Sequence, residues 1–479
     1  MTLPDVLSLL PVLVMLVWGI LTLLADLLVP RGHKAVTASL AAAGILSTLL
    51  VVLFDAGTDR TGFDGMVMGD RYAVFLQVVI LLAGLVAIAQ AFRYLQTHAI
   101  ERSEFYALML FSIGGMMLMT TASDLVMVFL ALELFSIPLY VLAGLARPRE
   151  DSEEAALKYF LLGAFATGFL VYGIALMFGA AQTTNLSLLA ERAPGLVESR
   201  LLLAGTLLVL AGLSFKVGAV PFHMWTPDVY QGAPTAVTAF MAVGAKVGGF
   251  AALLRVFMMG LPALAGIWAP AVMAIAAVTM IWGNLAALGQ RNIKRMLAYS
   301  SIAHGGYMLM AFPAALNTGA AVQVVPAVLF YVAAYAVTNL GAWGMIMAME
   351  THLGENLDLE DLAGLGRTNP VLAIAMTAFM VSLTGLPPTI GFMGKFYLFR
   401  VVMQADLVWL ALVGVVTSLI SAYYYLRVIV MMYMREGKPS LRLDGWLEAS
   451  ILLTGALVLL LGILPGLLFN AAAAVGFLP

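Results

Sequence analysis

Apolar runs follow one another from Leu3 to the C-terminus, broken only by short polar connections. A helix needs about 20 mostly apolar residues to cross the ~30 Å hydrocarbon layer of a bilayer. Fourteen runs meet or approach that length: 4–30, 35–54, 71–96, 105–122, 124–146, 157–180, 200–220, 233–258, 266–289, 292–313, 321–349, 371–401, 405–433 and 447–470. The pattern predicts an all-α membrane protein of fourteen transmembrane helices, spans 1 to 14, in a single polytopic domain over residues 1–479.

The cations test this count. Connections after odd-numbered spans hold thirteen Lys and Arg, among them Arg31, Arg147, Lys294, Arg295, Arg367 and Arg442. Connections after even-numbered spans hold six: Arg60, Arg71, Arg192, Arg200, Arg255 and Arg400. Basic residues gather on the cytoplasmic side, so both termini are expected on the periplasmic face of a bacterial inner membrane. The first run has no basic start, is too long for a leader's apolar region and carries Asp26 late. It reads as a span rather than a secretory signal.

Composition narrows the function classes. Hydrophobic residues make up 63% of the chain and charged residues 10%, against about 25% charged in a soluble domain. A net charge of −2 leaves no basic face for nucleic acid. Cysteine is absent, which excludes disulfides and thiolate-held Fe–S clusters. Of the five histidines, His33, His98, His223, His304 and His352, no two share a span at a spacing that would grip a haem or metal. No GxGxxG or Walker loop follows a strand pattern. No cofactor or metal site is therefore expected in this chain, and any redox or nucleotide chemistry it serves belongs to partners.

The informative residues are charges inside the apolar runs. Four of the seven lysines, Lys158, Lys216, Lys246 and Lys395, fall within predicted spans, with Arg427, Asp26 and Glu133. Each charge near a bilayer centre costs roughly 2.5–3.5 kcal/mol. Several together approach a whole protein's net stability, so they must be paired or hydrated, and function is the default reading. Lys158, beside RPREDSEEA, fits either a snorkelling interfacial lysine or a buried one. Asp26 and Arg427 stand near span ends and read as interfacial. Glu133 (LALELFSIP), Lys216 (LSFKVGAVPF) and Lys246 (AVGAKVGGF) lie well inside and read as functional. Gly244 and Gly248 flank Lys246 at GxxxG spacing, which admits a close neighbouring helix. His304, in SSIAHGGYM, fits a proton relay or a satisfied polar contact.

Two spans are expected to break. Residues 371–401 would make a helix of about 46 Å at 1.5 Å per residue, too long for the hydrocarbon core. GLPPTIGFMGK supplies the interruption, because Pro387 and Pro388 remove donors and the glycines loosen the ladder. Span 7 ends similarly, with Gly218, Pro221, Pro227 and Pro234 after Lys216. Non-helical backbone at membrane depth is tolerated only inside protein or along a wet cavity. Gly212-Leu213…Gly218 reappears as Gly385-Leu386…Gly391, an offset of 173 residues. Span 7 is fourth in the block of spans 4–8 (105–258), and span 12 is fourth in the block 9–13 (266–433). An odd number of spans inverts the second block. The expectation is two inverted five-helix repeats flanked by N-terminal helices (1–104) and a C-terminal helix (447–470), an arrangement that marks transporters.

ALELFSIPLYVL, LSFKVGAVPFHMWTPDVYQGAPT, RNIKRMLAYSSIAHGGYM and GLPPTIGFMGKF resemble the antiporter-like membrane subunits of proton-pumping NADH–quinone oxidoreductase (respiratory complex I) and their Mrp antiporter relatives. These stretches run from about Leu132 to Phe396, and the PFHxWxPDxYxGAPT segment is the most specific. Within the family the N branch fits. There is no room before residue 479 for the long lateral helix of the L branch, Lys395 stands where the M branch carries glutamate, and GENLDLEDLAGLGRTNP resembles the N branch. The resemblance implies that Glu133 pairs with Lys216, that Lys246 is the central relay, that Lys395 faces the exit and that Lys158 is the family's span 6 lysine. It further implies other membrane subunits as partners, with FMN, Fe–S clusters, quinone and NADH bound there.

Burial weakens a lysine's hold on its proton and a nearby carboxylate strengthens it. The Glu133–Lys216 pair is thus expected to act as a switch feeding a hydrated route Lys216–Lys246–His304–Lys395. Moving one charge against the membrane potential costs roughly 2.3 kcal/mol per 100 mV, energy that quinone reduction in partners would supply. Two other functions fit the same chain: an Mrp-type cation/proton antiporter subunit, and a non-pumping scaffold, which would gain nothing from its buried lysines.

Overall fold

Every predicted run becomes helix in the computed structural model, which describes residues 2–30, 34–102, 104–354, 357–439, 441 and 445–475. Arg31, His33, Arg442, Glu355 and Asn356, used in the reasoning above, lie outside the described residues, as does the side chain of His352. Among the described residues, twelve helices are long and apolar enough to cross a membrane. They are span 1 (Leu10–Leu28), span 2 (Ala35–Asp55), span 3 (Arg71–Thr97), span 4 (Glu104–Thr121), span 5 (Leu125–Ala143), span 6 (Glu150–Ala181), the first piece of span 7 (Arg200–Val217), span 8 (Thr235–Gly260), span 9 (Pro262–Leu288), span 11 (Thr318–Thr351), span 13 (Val408–Met434) and span 14 (Gly445–Ile463). The other two predicted spans are shorter helices: span 10 (Ile293–Leu309), and span 12, split into Pro370–Thr384 and Ile390–Gln404.

Side-chain caps explain several helix starts. Asp70, Asp124, Asn292 and Asn317 each accept a bond from backbone N–H groups of the turn that follows. Span 6 starts at Glu150 rather than 157 because Glu150, Asp151 and Glu153 place negative charge at its N-terminus, where the helix dipole favours it. Span 14 halts at Ile463, and a short helix, Gly466–Ala473, resumes after Pro465. A small antiparallel hairpin, β1 (Arg60–Gly62) and β2 (Val67–Gly69), joins spans 2 and 3, an addition to the all-α expectation.

Packing sorts the spans by depth. The apolar window of span 8 is wholly buried, whereas those of spans 1 and 6 are one-third buried. Span 8 packs against spans 3, 4, 5, 7 and 11. The peripheral spans expose large apolar side chains such as Phe165 and Leu419, a surface suited to lipid. Gly244 faces Met116 of span 4 and Gly248 faces Phe135 of span 5. The GxxxG face therefore seats span 8 on that helix pair.

Both expected breaks are present and share one backbone device. The first piece of span 7 ends at Gly218 (φ +71°), and the chain turns into a second piece, Trp225–Gly232. The first piece of span 12 ends at Gly385 (φ +85°). Left-handed φ there favours glycine. Gly218 and Gly385 N–H groups bond Phe215 and Ser382 carbonyls, and the next residues, Ala219 and Leu386, bond Ser214 and Val381 at 3.0 and 3.1 Å. These equivalent positions are 167 residues apart, which corrects the offset of 173. That offset matches Gly385 to Gly212, a glycine inside the helix that lies against Leu170 of span 6.

Candidate proton-transfer site

Lys216, Lys246, His304 and Lys395 are all buried, 2–4% exposed. Lys216, in the last turn before the first break, donates to Ser136 Oγ (2.7 Å) on span 5 and contacts Tyr159 OH (3.2 Å) on span 6. The Phe135 ring lies 4.7 Å from its ammonium. Lys246 donates to the Ser301 carbonyl of span 10 and lies 5.2 Å from the Tyr335 ring centre. Lys395, just after the second break, donates to the Thr384 carbonyl (2.8 Å) and Ser418 Oγ (2.6 Å), with the Tyr307 ring at 4.6 Å. Each ammonium thus has one or two oxygen acceptors and an aromatic face. A cation–π contact adds about 2 kcal/mol in a desolvated site, which offsets much of the burial cost.

Span 10 joins these pieces. Tyr335 OH donates to Ser301 Oγ at 2.8 Å. His304 lies between Tyr331 OH (Nδ1, 2.6 Å) and Tyr425 OH (Nε2, 3.1 Å), and Tyr425 in turn bonds Ser300 Oγ. The His304 ring is 5.7 Å from that of Tyr307, whose OH bonds Asn284 and Thr417. Hydroxyls and an imidazole therefore lie between Lys246 and Lys395, linked partly by hydrogen bonds and partly by ring contacts. Between Lys216 and Lys246, spans 7 and 8 approach closely: a side chain at Gly249 would meet Val217 at 2.7 Å and the Lys216 Cβ at 3.5 Å.

Two expectations about the site need revising. Glu133 is half-buried and accepts from Thr167 Oγ1 at 2.6 Å. Among the described residues it makes no ion pair with Lys216, whose ammonium turns to Ser136, one turn further along span 5. Thr167 and Lys216 both line a narrow cleft between spans 5, 6 and 7. Lys158 does not join the buried row. Its side chain is 40% exposed, in the third turn of span 6, and pairs with Glu154 and Asp228, each at 2.7 Å. Acidic neighbours on spans 6 and 7 hold it there.

The structure also gathers buried charges that sequence reasoning missed. Arg255, counted as a connection cation, is 1% exposed within span 8 and pairs bidentately with Asp70 at 2.7 and 2.8 Å. Lys294, counted likewise, lies in the first turn of span 10, 3.5 Å from Glu350 at the end of span 11. Glu350 also accepts from Tyr94 OH (2.9 Å) and Thr235 Oγ1 (2.6 Å). Asp26 pairs with Lys34 at 2.8 Å, and both are buried. A carboxylate partner compensates each of these cations, so they did not need an aqueous connection. Among the described residues, no group of three or more His, Cys, Asp and Glu is placed to hold a metal.

A helical membrane bundle with two interrupted helices and a row of buried lysines set among hydroxyls and an imidazole defines an antiporter-like, ion-translocating membrane subunit. The chain belongs to the NADH:quinone oxidoreductase/Mrp antiporter transmembrane family, whose pattern matches residues 122–421. It is 46% identical to NADH-quinone oxidoreductase subunit N of Chloroflexus aggregans, over 97% of this chain and 96% of that one. It is 43% identical to subunit N of Trichlorobacter lovleyi, over 96% and 95%. A chain of respiratory complex I from Thermus thermophilus with bound aureothin superimposes with a TM-score of 0.82 at 36% identity, covering 97% of this chain and all of that one. A chain of the Mrp complex from Dietzia shares the fold, with a TM-score of 0.87 at 22% identity over 99% and 97%.

Proposed function

We propose that this chain is the N-type proton-translocating membrane subunit of a respiratory NADH–quinone oxidoreductase, working with other membrane subunits in a bacterial inner membrane. Its relatives of 43–46% identity, all but full-length, carry that subunit's name. The observation that carries the mechanistic reading is the row Lys246, Ser301, Tyr335, His304, Tyr307 and Lys395, in hydrogen-bond or ring contact in turn inside a packed bundle. Lys216 takes a proton from one side, releases it toward Lys246 across the span 7/8 approach, and the span 10 hydroxyls and His304 pass it to Lys395. Glu133, held on Thr167, sets the field at Lys216 from across the cleft rather than by contact. Lys158 acts at the rim. Spans 4–8 and 9–13 serve as inverted repeats with one break each, and both termini lie on the periplasmic side. Electron transfer takes place in partner subunits, which bind FMN, Fe–S clusters, NADH and quinone and supply the driving energy.

Lys216→Ala and Lys216→Arg test this reading. Arginine keeps the charge but does not release its proton. Both variants should lower NADH-driven proton uptake and coupled quinone reduction together. Full pumping by the arginine variant would make Lys216 a fixed counter-charge and end the relay reading. Pumping independent of sodium ions separates this function from Mrp-type cation exchange.

A further inference from the structure

The second piece of span 7, Trp225–Gly232, is held from outside by charges that the relay does not use. Asp228, in its middle, accepts from Lys158 of span 6 (2.7 Å) and from Arg295 of span 10 (2.8 Å). At its C-terminal end, Arg149 donates to the Gly232 carbonyl (2.7 Å) and Lys294 to the Ala233 carbonyl (3.1 Å). Those free carbonyls are the negative end of the helix dipole, which favours cations. On its inner side the same piece touches Lys216 through one intermediary. The Trp225 indole donates to the Phe215 carbonyl (2.9 Å) and stacks on Tyr159 at 4.5 Å and 12°, and Tyr159 OH meets the Lys216 ammonium.

We propose that Asp228 is a positioning residue for proton transfer at Lys216, its Lys158–Arg295 clamp setting the half-helix that places the Trp225–Tyr159 stack. Arg295 belongs to the helix that carries Ser301 and His304, so the clamp ties the relay's second half to the lysine that feeds it. The clamp residues are roughly one-third exposed, and exposed ion pairs are individually weak. That weakness suits a clamp that biases a position rather than one that holds the fold, and an Asp228 variant should assemble. The inference rests on the pump reading above.

The test compares Asp228→Asn, Asp228→Glu and Lys216→Ala in the whole complex, with the initial rate of NADH-driven proton uptake by membrane vesicles measured per assembled complex. Asp228→Asn should lower uptake about two- to tenfold, and Asp228→Glu, which keeps the charge, should restore most of it. A purely structural role would reduce the amount of complex and leave the uptake rate per assembled complex untouched. Normal uptake in Asp228→Asn beside impaired Lys216→Ala overturns the clamp, as does equal impairment of the Asn and Glu variants. Normal uptake in all three overturns the pump reading itself. Should Asp228→Asn not assemble, Arg295→Gln, which leaves Asp228 its Lys158 partner, takes its place with the same expected loss, and normal uptake in it overturns the clamp.

Discussion

Among the described residues, the Lys246 ammonium has one hydrogen-bond acceptor, the Ser301 carbonyl, and one aromatic face, Tyr335. The stability cost of Lys246→Met follows from that environment. A charge at this depth costs roughly 2.5–3.5 kcal/mol, a hydrogen bond from a charged group returns about 1.5–3, and a desolvated cation–π contact returns about 2. The returns meet the cost or exceed it by up to about 2.5 kcal/mol. Methionine, similar in length and apolar, should change stability by no more than about 2.5 kcal/mol, and assembly should be near normal. Proton transfer should fare otherwise. A proton crossing this depth without the amine must itself meet the cost of roughly 2.5–3.5 kcal/mol, a slowing of roughly 70- to 370-fold at 1.36 kcal/mol per tenfold. The assay is dye-reported acidification of inverted vesicles driven by NADH, normalised to assembled complex on native gels. Pumping within twofold (~0.4 kcal/mol) of the parent in a fully assembled variant would refute the reasoning.

Glu133→Gln, Lys216→Met and their double variant should show non-additive losses in the same assay, the double no worse than either single, because each disables one switch. Normal pumping by both singles, once assembly is accounted for, would leave the pair a structural feature. Glu350→Gln leaves Lys294 without its carboxylate and should cost about 3–5 kcal/mol, seen as a lower temperature of complex dissociation. Adding Lys294→Met should recover much of the loss, and an undiminished temperature in the single variant would show that the pair contributes nothing. Tags at either terminus should be reachable only from outside intact cells and a tag in the loop 351–369 only from within. A cytoplasmic C-terminus would contradict the span count.

The legibility of this chain followed the size of the free-energy penalties. Spans could be read because hydrocarbon demands about 20 apolar residues, and the breaks at Gly218 and Gly385 because proline and glycine leave an unmistakable local mark. Lys216, Lys246 and Lys395 stood out for the same reason: a lone charge in an apolar run is costly. Paired charges escaped. Glu350 fell one residue beyond its predicted span, and Lys294 and Arg255 looked like connection cations, because what buries them is a carboxylate distant in sequence. The row of hydroxyls was half visible. SSIAHGGYM offered Ser300, Ser301, His304 and Tyr307, whereas Tyr331, Tyr335 and Tyr425 arrive from spans 11 and 13 by tertiary packing.

Span 3 is riveted to span 8 at both ends. Near one end Tyr72 OH bonds the Ala251 carbonyl and Asp70 holds Arg255, and near the other Tyr94 OH receives the Thr235 N–H beside Glu350. A one-turn slide of either helix would displace every one of these rivets by about 5.4 Å, far outside hydrogen-bonding range. Span 8 is thereby splinted to span 3, and a one-turn stroke of one past the other would break every one of these bonds. Motion at Lys246 is left to its own side chain and to the two pieces of span 7, which pack against span 8.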